Sequence, residues 1–396
     1  MINISANDIC CGCGACEQIC PKKAICMIPN GEGFTYPVVN EETCIDCGLC
    51  AKICPELQGK KSLNPTGVVF AAQAKSKEKL GMSSSGAIFP VIAEYVINQG
   101  GVVVGAELSD KMKIHHIIVD NIDDLSKLCG SKYVQSDLSD IFVKVKKILL
   151  DGRFVYFTGT PCQVSALKLF LRKPFDNLLV SDFVCHGVPS PKMFAMVVEY
   201  LEKKYGGKII DYQFRSKKLT GWSRVSACTM IVNGKKKIIY YDEMMRAFFQ
   251  AFLAGHVLRM DCYQCPFTRT ERAGDFTMAD FWSLKSTNPK FPRQHRGVSM
   301  ILVNTEKGQN ILEACLDKIY MEPSDLDVIL AGYNYQLKHP TELTSERGAI
   351  FDFLQKYPED FINKYLRGDI SSDKRNFYFT AFKEQIKKIL RYGGQY

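Results

Sequence analysis

The residues best suited to chemistry are cysteines, and eight of them follow one spacing that occurs twice. The pattern is C-x2-C-x2-C-x3-C-P, with Cys10, Cys13, Cys16 and Cys20 in the first copy and Cys44, Cys47, Cys50 and Cys54 in the second. This spacing is typical of bacterial two-cluster ferredoxins, in which the fourth cysteine of each copy binds the other cluster. We therefore predict two [4Fe–4S] clusters, one bound by Cys10, Cys13, Cys16 and Cys54 and the other by Cys44, Cys47, Cys50 and Cys20.

Zinc is the alternative metal, because short C-x-x-C pairs also hold structural zinc ions. Two complete copies of the longer spacing, each ending in proline, favour iron–sulfur clusters. Cys11 and Cys26 fall outside the pattern, and we expect each to be a small buried or spare thiol.

Four further cysteines occupy positions that suggest a third site. Cys162 in FTGTPCQ and Cys185 in DFVCHG each follow a predicted buried strand, and MDCYQCP adds Cys262 and Cys265. Loops that follow parallel strands meet at the carboxyl edge of a sheet, where such sheets carry their functional sites. The four thiols suit a third [4Fe–4S] cluster. The alternative is a set of buried free cysteines, with C-x-x-C as a redox pair or half of a zinc site.

Alternating helix and strand patterns predict the framework that holds these loops. The runs FVYFTG and NLLVSDFV are typical of buried strands, and QVSALKLFL and KMFAMVVEYLEKKYGG are typical of helices. Strands that alternate with helices build a sheet that is at least partly parallel. We also expect Ser139 and Ser190 to cap helices and Asn233-Gly234 to turn a β-hairpin. The terminal segment NFYFTAFKEQIKKILRYGG predicts a basic amphipathic helix, either docked on the body or in contact with a membrane or partner.

Composition limits the classes of function. The 396 residues are 46% hydrophobic and 23% charged, as expected of a globular protein. The opening residues, MINISANDIC, lack the basic and apolar regions of a secretory signal, so we expect a cytoplasmic protein. Seventeen cysteines then indicate metal or redox use rather than disulfides. No basic cluster with interleaved aromatic residues suggests nucleic-acid binding, and the longest apolar stretch is too interrupted to be a transmembrane helix.

Charge is divided unevenly along the chain. Residues 1–57 contain three lysines and seven acidic residues, a net charge of −4, so the remainder carries +13 and the whole chain +9. A basic body favours an acidic partner protein, such as a ferredoxin, or an anionic small molecule. Charge that serves only solubility is the alternative.

Several longer motifs occur in a fixed order and resemble one family. They are SSSGAIFPVIAEYV, GSKYVQSD, GTPCQVSALK, DFVCHGVPSP, FRSKKLTGWS, CYQCPFTRTERAGDFTMADFW and HRGVSMILVNTEKG. Together they are similar to the coenzyme F420 hydrogenase/dehydrogenase beta-subunit family, in the form with a fused two-cluster ferredoxin. The resemblance covers roughly residues 1–310. One departure is Ala279, where members of the family often have glycine.

The resemblance implies FAD, a third [4Fe–4S] cluster on Cys162, Cys185, Cys262 and Cys265, and a two-electron acceptor. That acceptor is the deazaflavin F420 in archaeal members, whereas plant and bacterial relatives reduce chlorophyll precursors. It also implies flavin contacts, which are Ser83, Ser84, Ser85, Gly86, Ser131, Lys132, Tyr133 and Asp280. A Ser/Gly loop that opens a helix suits a pyrophosphate, and a lysine suits an anionic reduced flavin. Ordinary helix capping and a surface lysine are the alternatives.

Two residues are candidates for a catalytic role, namely Lys132 and His186. His186 is either a proton donor to the substrate or a hydrogen-bond donor to a cluster sulfur. Asp275, Asp280, Arg269 and Arg272 either shape the flavin or substrate pocket or form a buried ion network.

The predicted fold is an α+β ferredoxin-like two-cluster domain followed by an α/β flavin-binding body with a mixed, partly parallel sheet. The predicted divisions are residues 1–57 for the ferredoxin domain, 58–66 for a linker, 67–135 for the N-terminal α/β part and 136–396 for the C-terminal body. The predicted function is an iron–sulfur flavoprotein oxidoreductase. The alternatives are an electron-transfer subunit that connects a partner enzyme to a ferredoxin or F420 pool, and a degenerate interaction scaffold.

Overall fold

The two cysteine motifs fold into a small head of short helices and one two-stranded antiparallel sheet. The structure, a computed structural model, describes residues 9–284, 288–365 and 374–384. The elements of the head are α1 (Ala15–Ile19), β1 (Ile25–Pro29), β2 (Thr35–Val39), α2 (Leu49–Lys52) and α3 (Pro55–Gln58). Gly14 and Gly48 stand at equivalent positions of the two motifs, and each begins a helix with a positive φ, 68° and 69° respectively. The sequence repeat is therefore also a repeat of backbone structure.

The body follows the head and alternates strands with helices. Its strands are β3 (Val68–Ala74), β4 (Val102–Leu108), β5 (Ile114–Val119), β6 (Val155–Thr158), β7 (Leu178–Phe183), β8 (Gly207–Gln213), β9 (Ala227–Val232), β10 (Lys235–Ile239), β11 (Phe276–Asp280), β12 (Ser299–Val303) and β13 (Ile319–Ser324). Its helices are α4 (Lys77–Met82), α5 (Ile88–Asn98), α6 (Ile141–Leu150), α7 (Pro161–Leu171), α8 (Pro191–Tyr205), α9 (Glu243–Leu253), α10 (Glu306–Glu313), α11 (Leu326–Leu330), α12 (Ile350–Lys356) and α13 (Pro358–Tyr365).

The main sheet is mixed and partly parallel, as predicted. Within the described residues it has eight strands in the order β13–β3–β12–β11–β7–β6–β4–β5. The four neighbours β11, β7, β6 and β4 run parallel, and the outer strands pair antiparallel. Helix α5 covers one face, and α6 and α7 cover the other. Parallel strands covered on both faces are expected to be apolar throughout, and Val155, Tyr156 and Phe157 of β6 are fully buried.

A second, smaller sheet has the order β10–β9–β8 and packs with α8 and α9 in a separate apolar core. Its hairpin between β9 and β10 turns at Asn233-Gly234, where both φ angles are positive, 48° and 73°. This confirms the predicted hairpin, because an Asn-Gly pair tolerates the left-handed conformations that a two-residue turn needs.

One predicted cap is confirmed and one is wrong. The Ser190 side chain accepts a hydrogen bond from Met193 N at the start of α8. Helix α6, however, begins after Asp140 rather than after Ser139. Ser139 has a positive φ of 40°, and its hydroxyl donates to the Asp137 carboxylate instead.

Two of the predicted boundaries fall within continuous structure. Within the segment predicted as a linker, Gly59–Ser62 forms a 3-10 helix, and the Ser62 hydroxyl donates to Ser165 of α7 at 2.7 Å. The main sheet draws strands from both sides of residue 135, so a boundary there stays a prediction. Of the predicted terminal helix, residues 376–384 are helical, and the remainder lies outside the described residues. No helix in the described part of the chain has the length and apolar character that a membrane span requires.

Candidate functional site

The first thiol set of the head is buried. Its members are Cys10, Cys13, Cys16 and Cys54, and each is 8% exposed or less. Burial raises the pKa of the Cys16 thiol, and the nearby thiols of Cys13, Cys10 and Cys54 raise it further, which places the four side chains together. The Gly12 N–H donates to Cys10 Sγ at 3.4 Å. Buried neighbouring thiols of this kind ionise when a metal binds their sulfurs.

The second thiol set lies at the surface. Cys20, Cys44, Cys47 and Cys50 line one cavity, whose apolar wall includes Ile25 and Val39. The Ala24 N–H donates to Cys20 Sγ at 3.3 Å. Cys47 is exposed and the other three are partly buried. In each set the fourth cysteine comes from the other copy of the motif, which is the arrangement that the ferredoxin spacing predicts.

The third thiol set is brought together by the body. Its members are Cys162, Cys185, Cys262 and Cys265, all partly buried. Burial raises the pKa of Cys185 to about 12, with a further contribution from Cys162. Burial also raises the pKa of Cys265, and the thiols of Cys162, Cys262 and Cys185 add to that increase. The four thiols are therefore mutual neighbours. Among the described residues, no three His, Cys, Asp or Glu side chains are placed to hold a single metal ion.

The positions of these cysteines follow from the sheet. Strands β6 and β7 are parallel neighbours, so the loops that carry Cys162 and Cys185 leave the same edge. Helix α7 begins at Pro161, and Thr160 and Gln163 form a capping box that holds Cys162 in its first turn. Gly187 has a φ of 122°, and a Cβ atom on it would lie 3.2 Å from Cys262 Cβ. Glycine at this position therefore lets the C-x-x-C segment approach Cys185.

The Ser/Gly loop predicted to contact a flavin is assembled next to Ser131. The Ser131 N–H donates to Ser84 Oγ at 2.8 Å, and the Ser85 hydroxyl donates to Val298 O at 2.9 Å. The Gly86 N–H donates to Ser299 Oγ at 3.0 Å. These groups are already used by the protein, so they shape the loop.

The start of α5 keeps groups that suit a phosphate. Ser83 Oγ is buried and has no hydrogen-bond partner within the described residues. The N-cap of α5 is Ala87, which supplies no side-chain hydrogen bond to the first N–H groups of the helix. The uncapped N–H groups of Ile88 and Phe89 and the buried Ser83 hydroxyl of the preceding loop are groups that suit a pyrophosphate.

Two lysines flank this loop, and only one was predicted. Lys132 donates to the carbonyl oxygens of Lys127 and Cys129, and burial lowers its pKa to about 8. Lys217 donates to the carbonyl oxygens of Ser85, Leu80 and Arg296, and burial lowers its pKa to about 7. Lys217 therefore places its amine directly against the serine loop. Its signal in the sequence was the motif FRSKKLTGWS, whose lysines had no assigned role.

Tyr133 and Asp280 lie in an aromatic and cationic region beside the loop. The Tyr133 ring stacks on Phe252 at 4.9 Å between centroids. Asp280 accepts hydrogen bonds from Arg215 and from Trp222 Nε1, the latter at 2.8 Å. The Trp222 indole stacks on Trp282 with centroids 4.2 Å apart. The Asp280 carboxylate is thus already hydrogen-bonded by two protein side chains.

Comparison with known proteins assigns families to two parts of the chain. Residues 152–328 match the family that describes the C terminus of the coenzyme F420 hydrogenase/dehydrogenase beta subunit. Residues 9–57 match the 4Fe-4S dicluster domain.

Residues 152–328 are thus similar to the C-terminal domain of the F420 hydrogenase/dehydrogenase beta subunit. The resemblance found in the sequence is thereby confirmed, and the chain is an iron–sulfur electron-transfer protein related to these beta subunits.

Among solved structures, a similar chain comes from the F420-reducing [NiFe] hydrogenase complex of Methanosarcina barkeri. The two are 16% identical, the match covers 77% of this chain and 97% of that chain, and the TM-score is 0.46. The search of curated proteins finds no match.

Only some of the predicted site residues lie within the region that matches the beta-subunit family. It includes the third thiol set and Asp280, whereas Ser83–Gly86 and Ser131–Tyr133 lie before residue 152. The flavin contacts therefore stay predictions that rest on the sequence motifs and on the geometry of the loop.

His186, beside a predicted cluster ligand of this beta-subunit domain, has both ring nitrogens in contact with protein atoms. Nε2 lies 2.9 Å from Phe252 O, and Nδ1 lies 2.7 Å from Gln336 Nε2. Burial lowers the pKa of its imidazole. A neutral ring that donates through Nε2 and accepts at Nδ1 satisfies both contacts, and this fixes the loop around Cys185. The two roles predicted for His186 stay untested.

The charged residues Arg272 and Asp275 of the motif CYQCPFTRTERAGDF make separate sets of contacts in the structure. Arg272 is buried and donates to the Asp182 carboxylate at 3.1 Å and to Phe267 O at 2.7 Å. Asp275 accepts from Val180 N at 2.8 Å. These contacts tie the third thiol set to β7. The partner of Arg272 is Asp182 rather than Asp275 or Asp280, so the roles predicted for the motif's charged residues stay predictions.

Sequence reasoning missed the junction between the head and the beta-subunit body. Arg259 is fully buried and donates to Thr35 O at 2.8 Å, to Gln135 Oε1 at 3.1 Å and to Cys10 O. Its guanidinium also lies 4.1 Å from the centre of the Tyr36 ring. Nothing in the sequence distinguishes this arginine from the other cationic residues of a basic chain.

The junction also contains an unpredicted polar group. Burial raises the pKa of Glu56 to about 9 and that of Asp261 to about 6, and the two side chains lie within contact of each other. Glu56 follows Cys54 of the first set, and Asp261 precedes Cys262 of the third. The first and third thiol sets therefore face each other across one buried interface.

Proposed function

We propose that the chain is an iron–sulfur flavoprotein oxidoreductase that moves electrons between the head and a two-electron acceptor. The single observation that carries the proposal is the third thiol set, Cys162, Cys185, Cys262 and Cys265, gathered at the sheet edge against the first set of the head. Burial raises the pKa values of the Cys185, Cys262 and Cys265 thiols, and with Cys162 they form a donor set that suits a [4Fe–4S] cluster.

A flavin would supply the exchange between single electrons and electron pairs. The chain would hold its pyrophosphate with the first N–H groups of α5 and the Ser83 hydroxyl, which are free of side-chain caps and of partners among the described residues. Lys217 would add a positive charge behind the Ser85 carbonyl. Lys132 and Tyr133 would line the same site, because the Ser131 N–H that precedes them donates to Ser84 Oγ of the serine loop.

Exposure suggests where electrons enter. The second thiol set lies at the surface, whereas the first is buried against the body. A one-electron donor protein would therefore meet the second set. The two-electron acceptor would bind the body. The net positive charge of the body suits an anionic acceptor, such as a deazaflavin.

Anaerobic purification with iron, sulfide and flavin measured together tests the proposal. We expect about twelve irons and one flavin per chain, the content of three cubanes and one FAD. A content of about eight irons would contradict the third cluster, and an absence of flavin would contradict the assignment as a flavoenzyme. Turnover of artificial acceptors alone, with full iron, would favour an electron-transfer subunit without its own substrate.

Changing Cys162 to Ser tests the third set directly. We expect this variant to lose about four irons and to keep the spectroscopic signals of both head clusters. Cys129→Ser is the matched control, because Cys129 lies in the body outside all three sets and donates only to Leu125 O. An unchanged iron content in Cys162→Ser would contradict the assignment.

A further inference from the structure

Cys11 is the cysteine for which the ferredoxin pattern has no use, yet it occupies the centre of the junction. It is 8% exposed and packs in the same apolar core as Cys13, with Cys162 packed against that core. Cys13 belongs to the first head set and Cys162 to the third set.

The motif itself does not require a cysteine at this position. The equivalent residue of the second copy is Ile45, which points to solvent and is 58% exposed. The two copies therefore differ where one faces the body and the other faces water. Both four-thiol sets are complete without Cys11, so a fifth thiol here needs a separate explanation.

The backbone around Cys11 is held firmly. The Cys11 carbonyl accepts from Gln135 Nε2 at 3.0 Å, and Gln135 Oε1 in turn accepts from Arg259. Gly12 leaves no room for a side chain, because a Cβ atom there would lie 2.4 Å from Gln135 Nε2. The thiol also packs in the apolar core that contains Ala15, Ile53 and Val164. The side chain is thus positioned by both the head and the body.

We propose that Cys11 is a positioning residue that connects the first and third thiol sets and forms the through-protein contact for electron exchange between head and body. The inference rests on the proposed function, since it requires the third set to hold a cluster. One electron leaves the head side and one arrives on the body side. No covalent bond forms or breaks, and the thiol keeps its proton. The electron is supplied by a reduced one-electron donor.

A sulfur atom suits this contact for physical reasons. A thiol is a weak donor with a polarisable sulfur, so it can donate to one ligand sulfur and lie against another. Groups that contact metal ligands without binding the metal tune the site, and their loss typically changes affinity or activity by about 10–100-fold.

The test compares Cys11→Ala and Cys11→Ser with wild type and with Cys26→Ala, all purified anaerobically. Cys26 is the matched control because it is an exposed cysteine of the same head outside every set. We measure iron, the electron paramagnetic resonance spectrum after dithionite reduction, and the rate at which a photogenerated electron equilibrates between head and body signals. We expect unchanged iron, altered spin–spin broadening and a rate lower by about tenfold in the Cys11 variants, the lower end of such effects.

Each other outcome overturns the inference. Loss of about four irons would make Cys11 a cluster ligand. Unchanged iron with an unchanged spectrum and rate would make it a packing residue. If Cys11→Ala fails to fold, Cys11→Ser carries the same comparison, because it keeps the size and the donor and removes only the sulfur. A wild-type content of about eight irons would instead refute the third cluster itself, which separates the two failures.

Discussion

Gly12 illustrates at the scale of one residue how the head and body are fitted together. Its φ is 70°, and the equivalent residue of the second motif, Asp46, also has a positive φ, 49°. The backbone conformation alone therefore does not demand glycine. A Cβ atom on Gly12 would lie 2.7 Å from Arg259 Nη1, whereas Asp46 is exposed to solvent. Contact with the body is what excludes a side chain at Gly12.

Replacing Gly12 with alanine separates these two effects. Gly48 is the control, because its φ is 69° and a Cβ atom there would meet nothing within 4 Å. Gly48→Ala should cost only the left-handed conformation, about 1–2 kcal/mol. Gly12→Ala should cost more, since Gln135 and Arg259 must also move. Thermal midpoints of the anaerobic proteins measure the difference, and equal shifts would contradict it.

At the scale of helices and strands, the local patterns predicted much of the framework. The runs around FVYFTG and NLLVSDFV became the parallel pair β6 and β7, so Cys162 and Cys185 meet at one edge as expected. The hairpin at Asn233-Gly234 and the cap at Ser190 are local signals, and both are confirmed. The predicted cap at Ser139 is wrong, because the Ser139 hydroxyl donates to the Asp137 carboxylate instead of capping the helix.

Contacts between elements that are distant in the chain were beyond the sequence. Cys11 and Cys162 pack at one apolar core, and Arg259 meets Thr35, across more than a hundred residues of chain. Such contacts depend on the docking of two folded parts, and no spacing within either part encodes them. Lys217 was missed for the same reason, since its partners Leu80, Ser85 and Arg296 lie in two segments far from it in the chain.

Arg259 provides the test of docking at this scale. Arg259→Met should leave the carbonyl of Thr35 and the Gln135 amide without a buried donor, at about 1–3 kcal/mol each. We expect a lower thermal midpoint and faster proteolytic cleavage near 58–66 than in wild type. Arg153→Met is the control, because Arg153 is half exposed and its pair with Asp120 spans 3.8 Å. Exposed pairs of this kind contribute little. Equal cleavage of the two variants would show that Arg259 does not hold the head.

The three thiol sets of the molecule differ in exposure. The second set opens to solvent, the first is buried where the head meets the body, and the third is partly buried at the sheet edge. The acidic residues Glu41, Glu42 and Asp46 are exposed around the second set. The second set is thus the one most open to an external reagent or partner.

This order predicts stepwise loss of iron. A hydrophilic iron chelator under anaerobic, reducing conditions should reach the second set first, because Cys47 is exposed and the cavity opens to solvent. We expect about four of about twelve irons to leave in a fast phase and the remainder to follow slowly. Cys20→Ser should abolish the fast phase, since it removes a ligand of the second set. Cys16→Ser should leave that phase intact and reduce the slow one, because Cys16 belongs to the buried set. A single phase in wild type, or loss of the fast phase in Cys16→Ser, would refute the order of the sets.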